Sequence, residues 1–225
     1  MTDALSAIGQ IIDRDVTQLR TVSQNVSNSS TPGYRAMSET QTAGSTRAED
    51  RISMRAGSLM STGRALDLAI TGNGFFAVST AQGLRYTRDG RFQLKADGTL
   101  ATAAGDPVLG ADGPLVLPGG SVSIGADGKV SAGKDTIARL RVVSFEDPTR
   151  LQPQGGGLYS SEADGNAAKG FQVHQGYLEG SNVDVSGELV NIIGLTRHLE
   201  AVQHGVMAYD QMLGSGINEI GKPRS

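Results

Sequence analysis

The C-terminal segment repeats with a strict period of seven: Ile192, Leu199, Val206, Leu213 and Ile220 recur every seven residues, with Leu195, Val202 and Tyr209 at the companion positions. Alternating spacings of three and four put all of these side chains on one narrow stripe of an α-helix. A sustained heptad implies left-handed supercoiling around another helix. The stripe is too apolar to face water, so this end of the chain is expected to pack on a helical partner. Asp184 and Ser186 are both suited to cap the helix, and Glu188 falls in its first turn, where the macrodipole favours negative charge. Gly205, Gly214 and Gly216 lie inside the pattern. Each weakens a helix by about 1 kcal/mol relative to Ala, which makes sense where helix backbones approach closely.

A second seam opens the chain. Leu5, Ile8, Ile12, Leu19, Val22 and Val26 follow the same rhythm, with one polar member, Asp15. The polar run Ser27-Asn28-Ser29-Ser30-Thr31 and the pair Pro32-Gly33 end this helix. Short polar side chains compete for its backbone, and Pro-Gly suits the centre of a type II turn. Pairing the two helices brings the chain ends together and leaves the middle as an outward loop. Two helices cannot cover each other's stripes completely, so neighbouring subunits are expected to supply the rest.

Between the seams the signal is strand and turn. Residues 35–65 are polar and read as an extended connector that orders against a partner. From Leu66, short apolar runs alternate with turns at Gly72-Asn73-Gly74, at Asp89-Gly90 and at three Ala-Asp-Gly tripeptides fifteen residues apart. Asp89-Gly90 suggests a type I′ hairpin, and Ile137 to Phe145 reads as one longer strand. With no Trp and 4% aromatics, the core is expected to be aliphatic and thin. The expected fold is α+β: paired N- and C-terminal coiled-coil helices with an inserted antiparallel, barrel-like all-β domain. The expected divisions are a helix over 1–34, the connector 35–65, a β domain over 66–150, a second connector with a last β segment over 151–183, and the helix 184–225.

Several functions are disfavoured. Net charge is −3 with no run of Lys and Arg, so the footprint of a nucleic-acid binder is missing. The absence of cysteine removes disulfides, thiolate metal sites and thiol nucleophiles. His174, His198 and His204 have no metal partners at a useful spacing and read as solvated surface residues. Gly72-Asn73-Gly74-Phe75-Phe76-Ala77 fits a relaxed dinucleotide fingerprint, but a strand follows where a helix is required. The Asp-Gly pairs lack the clustered oxygens that calcium needs. No serine sits in a nucleophile elbow. The reading is therefore of a non-enzymatic assembly protein with no cofactor and no metal. No apolar run approaches the roughly 20 residues of a membrane span, so no membrane insertion is expected. The first residues lack the pattern of a cleaved secretory signal, which leaves the cytoplasm or an export route without cleavage.

Longer motifs then resemble a known family. Ser23-Gln24-Asn25-Val26-Ser27-Asn28-Ser29-Ser30-Thr31-Pro32-Gly33-Tyr34-Arg35 is similar to the close of the N-terminal helix in flagellar rod and hook proteins. Leu66 to Phe76, Tyr86 to Phe92 and Gly105 to Gly110 resemble their β domain. Gln175-Gly176-Tyr177-Leu178-Glu179-Gly180-Ser181-Asn182-Val183, with Arg197-His198-Leu199-Glu200, is similar to their C-terminal signature. The resemblance is collinear over nearly the whole chain. It departs at Ser23-Gln24, where the family has Ala-Asn or Asn-Asn, and at Leu199, where an aromatic is common. The family implies a subunit of the bacterial axial rod, in the flagellar basal body across the periplasm. Its implied partners are other rod proteins, further copies of itself and the flagellar type III export apparatus. The short chain and brief connector resemble proximal-rod members more than distal-rod or hook members. From a different class, the alternative is a secreted β-domain binding module with the helices as a dimerisation stalk.

Overall fold

The computed structural model describes residues 2–40 and 49–220, with side chains described for 6–38, 51–209, 211 and 212. Two compact units result. One pairs the helix α1, Thr2–Ser27, with the helix α2, Val185–Ile220. Their length follows from apolar residues sustained at three-four spacing, broken on α1 only by Asp15. The Asp184 carboxylate accepts a hydrogen bond from the Gly187 amide at 3.2 Å, so Asp184 rather than Ser186 caps α2. The helices run antiparallel: Asn25 meets Glu188 and Asp15 meets His198.

The other unit, Ser27–Val183, is all β and is built around one doubly buried strand. Its first strands are β1 (Met37–Thr40), β2 (Glu49–Ile52), β3 (Leu59–Ser61), β4 (Leu68–Thr71), β5 (Phe75–Thr80) and β6 (Gly83–Thr87). The largest sheet is antiparallel, in the order Gln152–Gly155, Leu158–Ser160, β6, β5, Val142–Ser144, Asn166–Ala167. Alternation along β5 sends Phe76 and Val78 into one core, with Phe92, Leu100, Val108, Leu115, Val130 and Leu140. Phe75 and Ala77 point into a second core, with Met37, Ile52, Tyr86, Val143, Leu151 and Tyr159. A strand buried on both faces reads as a continuous apolar run, which is the signature of Phe75-Phe76-Ala77-Val78.

Several expectations are corrected here. Among the described residues no barrel closes: the strands form seven separate sheets, and the largest has open edges. The segment over the first core is made of strands such as Gln93–Leu94, Leu100–Ala101 and Leu109–Gly110, too short for the continuous ladder that closure needs. Gly98, Gly105, Gly113 and Gly128, all at positive φ, turn the chain between them. Asp89-Gly90 is not a type I′ hairpin. Gly90 is not at positive φ; a Cβ there would lie 1.6 Å from the Leu68 carbonyl oxygen, so the glycine serves a close backbone approach. The hairpin turn lies instead at Ala81-Gln82, between β5 and β6. The stretch Ile137 to Phe145 is two strands, Asp135–Arg139 and Val142–Ser144, in different sheets. Between them Leu140 and Arg141 donate to the Gly128 and Leu109 carbonyls instead. The core is not purely aliphatic. Phe75, Phe76, Tyr86, Phe92 and Tyr159 are buried and pack edge to face, so the few aromatics are concentrated where they matter.

The described parts of this connector, residues 35–40 and 49–65, carry more order than a bare linker. β1 pairs with β2, and the ribbon places Met37 and Ile52 on the second core. β3 pairs with Tyr177–Glu179, and β4 pairs with Gln172–Gln175. The two ends of the β unit are thereby held side by side.

Candidate assembly interface

The heptad pattern and the observed burial coincide on the helices. On α1, Val22 is buried, while Ile8, Ile12, Leu19 and Val26 are half-buried. On α2, Leu195 is buried, and Ile192, Leu199, Val202, Val206 and Tyr209 are half-buried. Leu5, Leu213 and Ile220 lie outside the residues whose side chains are described. Beside the seam runs a set of apolar side chains that the sequence reading did not single out. Val190 and Ile193 are 68% and 55% exposed, and Leu189, Met207 and Met212 are exposed as well. On α1 the corresponding residues are Ile11 and Val16.

Two polar pairs cross between the helices. Asp15, the polar member of the first seam, is 1% exposed, and its Oδ2 lies 2.5 Å from Nδ1 of His198. The Asn25 side-chain amide, also buried, donates to Oε1 of Glu188 at 2.6 Å. His198 is a surface histidine as expected, with its side chain 52% exposed, but it is not simply solvated, since it also meets Asp15. The expectation fails for His174, which is half-buried with its Nε2 2.9 Å from the Thr71 hydroxyl; His204 is exposed. The flanking position of His198 hid its role, but a carboxylate in an apolar seam was itself a signal that some partner had to exist. Gly205 meets nothing: a Cβ there would have open space for 4 Å around it within the chain.

The β unit holds a buried ion triad where its two ends meet. Glu179, at the end of the last strand, accepts from Arg35 at 2.8 Å and from Arg88 at 3.2 Å. All three side chains are almost wholly buried. Its Oε1 also accepts from the Gly57 amide at 3.0 Å. Arg88 donates to the carbonyls of Ile70 and Gly72 and lies over the Phe75 ring. Arg35 donates to the Arg55 carbonyl, and its backbone amide donates to the Tyr159 hydroxyl at 3.1 Å. Burial lowers the Arg88 pKa to about 10 against the pull of Glu179, and burial raises that of Tyr159. Asn182 completes the junction, accepting from the Ala36 amide and donating to the Ser53 and Arg55 carbonyls. These groups were missed from sequence because charged residues far apart in the chain carry no periodicity. Among the described residues no group of His, Asp and Glu is placed to hold a metal ion.

Two family models match the chain. The model described as the flagellar hook protein FlgE/F/G D1 domain covers residues 69–132, and the one described as the flagellar basal body rod FlgEFG protein C-terminal covers residues 174–219. The flagellar basal-body rod protein FlgF of Caulobacter vibrioides is 32% identical over 226 residues, spanning 91% of this chain and 92% of that protein. The chain belongs to the flagellar basal-body rod protein family. FlgG of Agrobacterium fabrum is 29% identical over 251 residues, covering 93% of this chain and 95% of its own. FlgF of Rhizobium meliloti is 39% identical over 102 residues, covering 40% and 42%. This rod protein is thus structural, of the FlgF/FlgG type, and belongs to the flagellar basal body among other rod proteins. The rod C-terminal region takes in Glu179, Glu188 and His198, so the triad and both polar pairs each have a member in it. Among the described residues no helix is long and apolar enough to cross a membrane.

Proposed function

We propose that this rod protein is an axial subunit of the proximal, FlgF-like part of the rod, and that it self-assembles through its helix pair. In this reading α1 and α2 wind as a coiled coil at the centre of the rod. The observation that carries the proposal is the exposed apolar flank of α2, Leu189, Val190, Ile193, Met207 and Met212, beside a half-buried seam. Burying one large aliphatic side chain completely is worth about 1.5–3 kcal/mol. Several such residues on each of many copies supply a drive toward polymerisation that one molecule cannot satisfy. Open space around Gly205 fits the same reading, since a neighbouring backbone can approach there. The role is mechanical and non-enzymatic, with no cofactor. Delivery through the flagellar type III export apparatus, without a cleaved signal, and residence in the periplasm-spanning rod belong to the same proposal.

The test is removal of α2. A chain ending before Val185 should fail to enter the rod and should leave cells non-motile, while its β unit still unfolds cooperatively in urea. Normal motility with that truncated chain would overturn the proposal. The binding-module alternative predicts instead a discrete stable dimer of the intact chain and a ligand for the isolated β unit; no observation here favours it.

A further inference from the structure

We propose that Asp15 and His198 form a register key: a polar pair that admits one antiparallel alignment of α1 on α2 and excludes the others that the heptad repeat permits. This inference rests on the helix pair alone and holds whether or not the chain polymerises.

A seam that repeats every seven residues is degenerate. Sliding one helix by a heptad again sets aliphatic side chains against aliphatic side chains, so apolar packing alone chooses weakly between alignments. Asp15 breaks that degeneracy. Its carboxylate sits 1% exposed among seam residues, where an ionised group without a partner is strongly disfavoured. His198 lies just outside the α2 seam with its side chain 52% exposed, so its ring reaches the carboxylate while keeping its other edge toward water. The Asn25–Glu188 bond lies ten residues further along α1 and ten residues back along α2, so both polar pairs form in one and the same alignment. A slip of one heptad one way sets Asp15 level with Gly205, which has no side chain, and Asn25 level with Leu195. The opposite slip sets Asp15 level with Asn191 and Asn25 level with Ser181, which precedes α2. Neither restores both pairs. The same reasoning rejects foreign apolar helices, including the α2 flank of another copy, from the α1 seam.

The chain has no cysteine, so engineered thiols report without background. In the full-length protein, Asn25→Cys with Glu188→Cys reads the native alignment, and Asn25→Cys with Leu195→Cys reads the one-heptad slip. A short thiol-to-thiol cross-linker traps each. With Asp15 and His198 present, the native pair should cross-link and the slipped pair should not. In Asp15→Leu the slipped cross-link should rise at least tenfold relative to the native one. Asp15→Asn, which keeps an acceptor, should retain the native preference. A slipped-to-native ratio unchanged in Asp15→Leu overturns the proposal, as does failure of the native pair to cross-link in the otherwise unchanged chain. A fall of both cross-links together in Asp15→Leu also overturns it, because loss of packing without loss of register is what a merely structural residue would give.

Discussion

Glu179 and Arg35 meet at 2.8 Å with both side chains buried, although one closes the last strand of the β unit and the other follows the turn that ends α1. With Arg88 sharing the same carboxylate, this contact fixes where the chain enters and leaves the β unit. Glu179→Gln leaves two buried guanidinium groups without a counter-charge, and about 3–5 kcal/mol of stability should be lost. Replacing all three residues by Met and Leu should cost less than that single change. Urea unfolding of both variants and of the unaltered chain checks the order.

Tyr159 lies beside the triad, and burial raises its folded pKa above the ordinary value of 10.0. Above pH 10 the unfolded chain releases this phenol proton while the folded chain keeps it. The Tyr159 contribution to stability is therefore complete below that pH and is lost as pH rises through the folded value. Tyr159→Phe should flatten the alkaline fall in stability. Phenolate absorbance should show that the substitution removes a late-ionising tyrosine.

At the other end of the scale, the Asp97 carboxylate is held below its usual range chiefly by the Thr99 backbone amide, and that of Asp127 by Lys129. The unfolded chain takes up these protons first, so this stability is present above the unfolded value and is lost as pH falls through the folded ones. Asp97→Asn combined with Asp127→Asn should make the β unit less sensitive to acid, as measured by thermal unfolding at falling pH.

Two glycines separate backbone strain from close approach. Gly33 and Gly63 both have φ of +70°, but a Cβ on Gly33 would lie 2.2 Å from the Arg88 backbone carbon, whereas one on Gly63 meets nothing within 4 Å. Gly63→Ala should cost about 1–2 kcal/mol, the left-handed penalty alone. Gly33→Ala should cost clearly more and should broaden the unfolding transition of the β unit.

The two helices were legible because a three-four apolar spacing is a local pattern, and burial is higher at those positions from Ile8 to Val26 and from Ile192 to Tyr209. The strand Phe75-Phe76-Ala77-Val78 was legible for the same reason. What a periodicity cannot carry is a contact between distant charges, so Arg35, Arg88 and Glu179 stood in recognisable motifs without revealing that they meet. His198 escaped because seam rules are silent about the residue beside the seam. The Asp-Gly signal failed at Asp89-Gly90 because two causes share it. A turn needs positive φ, and a crowded backbone needs a missing Cβ; only coordinates tell them apart. Barrel closure failed because short strands between glycine turns look alike whether or not they join one ladder.

In the proposed assembly, neighbouring rod subunits cover the apolar flank of α2. The most direct measurement is the amount of full-length Val190→Asp protein in basal bodies isolated from cells lacking the unaltered chain. Gln203→Asp, which adds the same charge at another exposed site on α2, serves as control. Val190→Asp protein should fold with unchanged β-unit stability yet be missing from the isolated rods, while Gln203→Asp enters normally. Rods that contain Val190→Asp protein at the level of the control would show that the α2 flank is not the assembly surface.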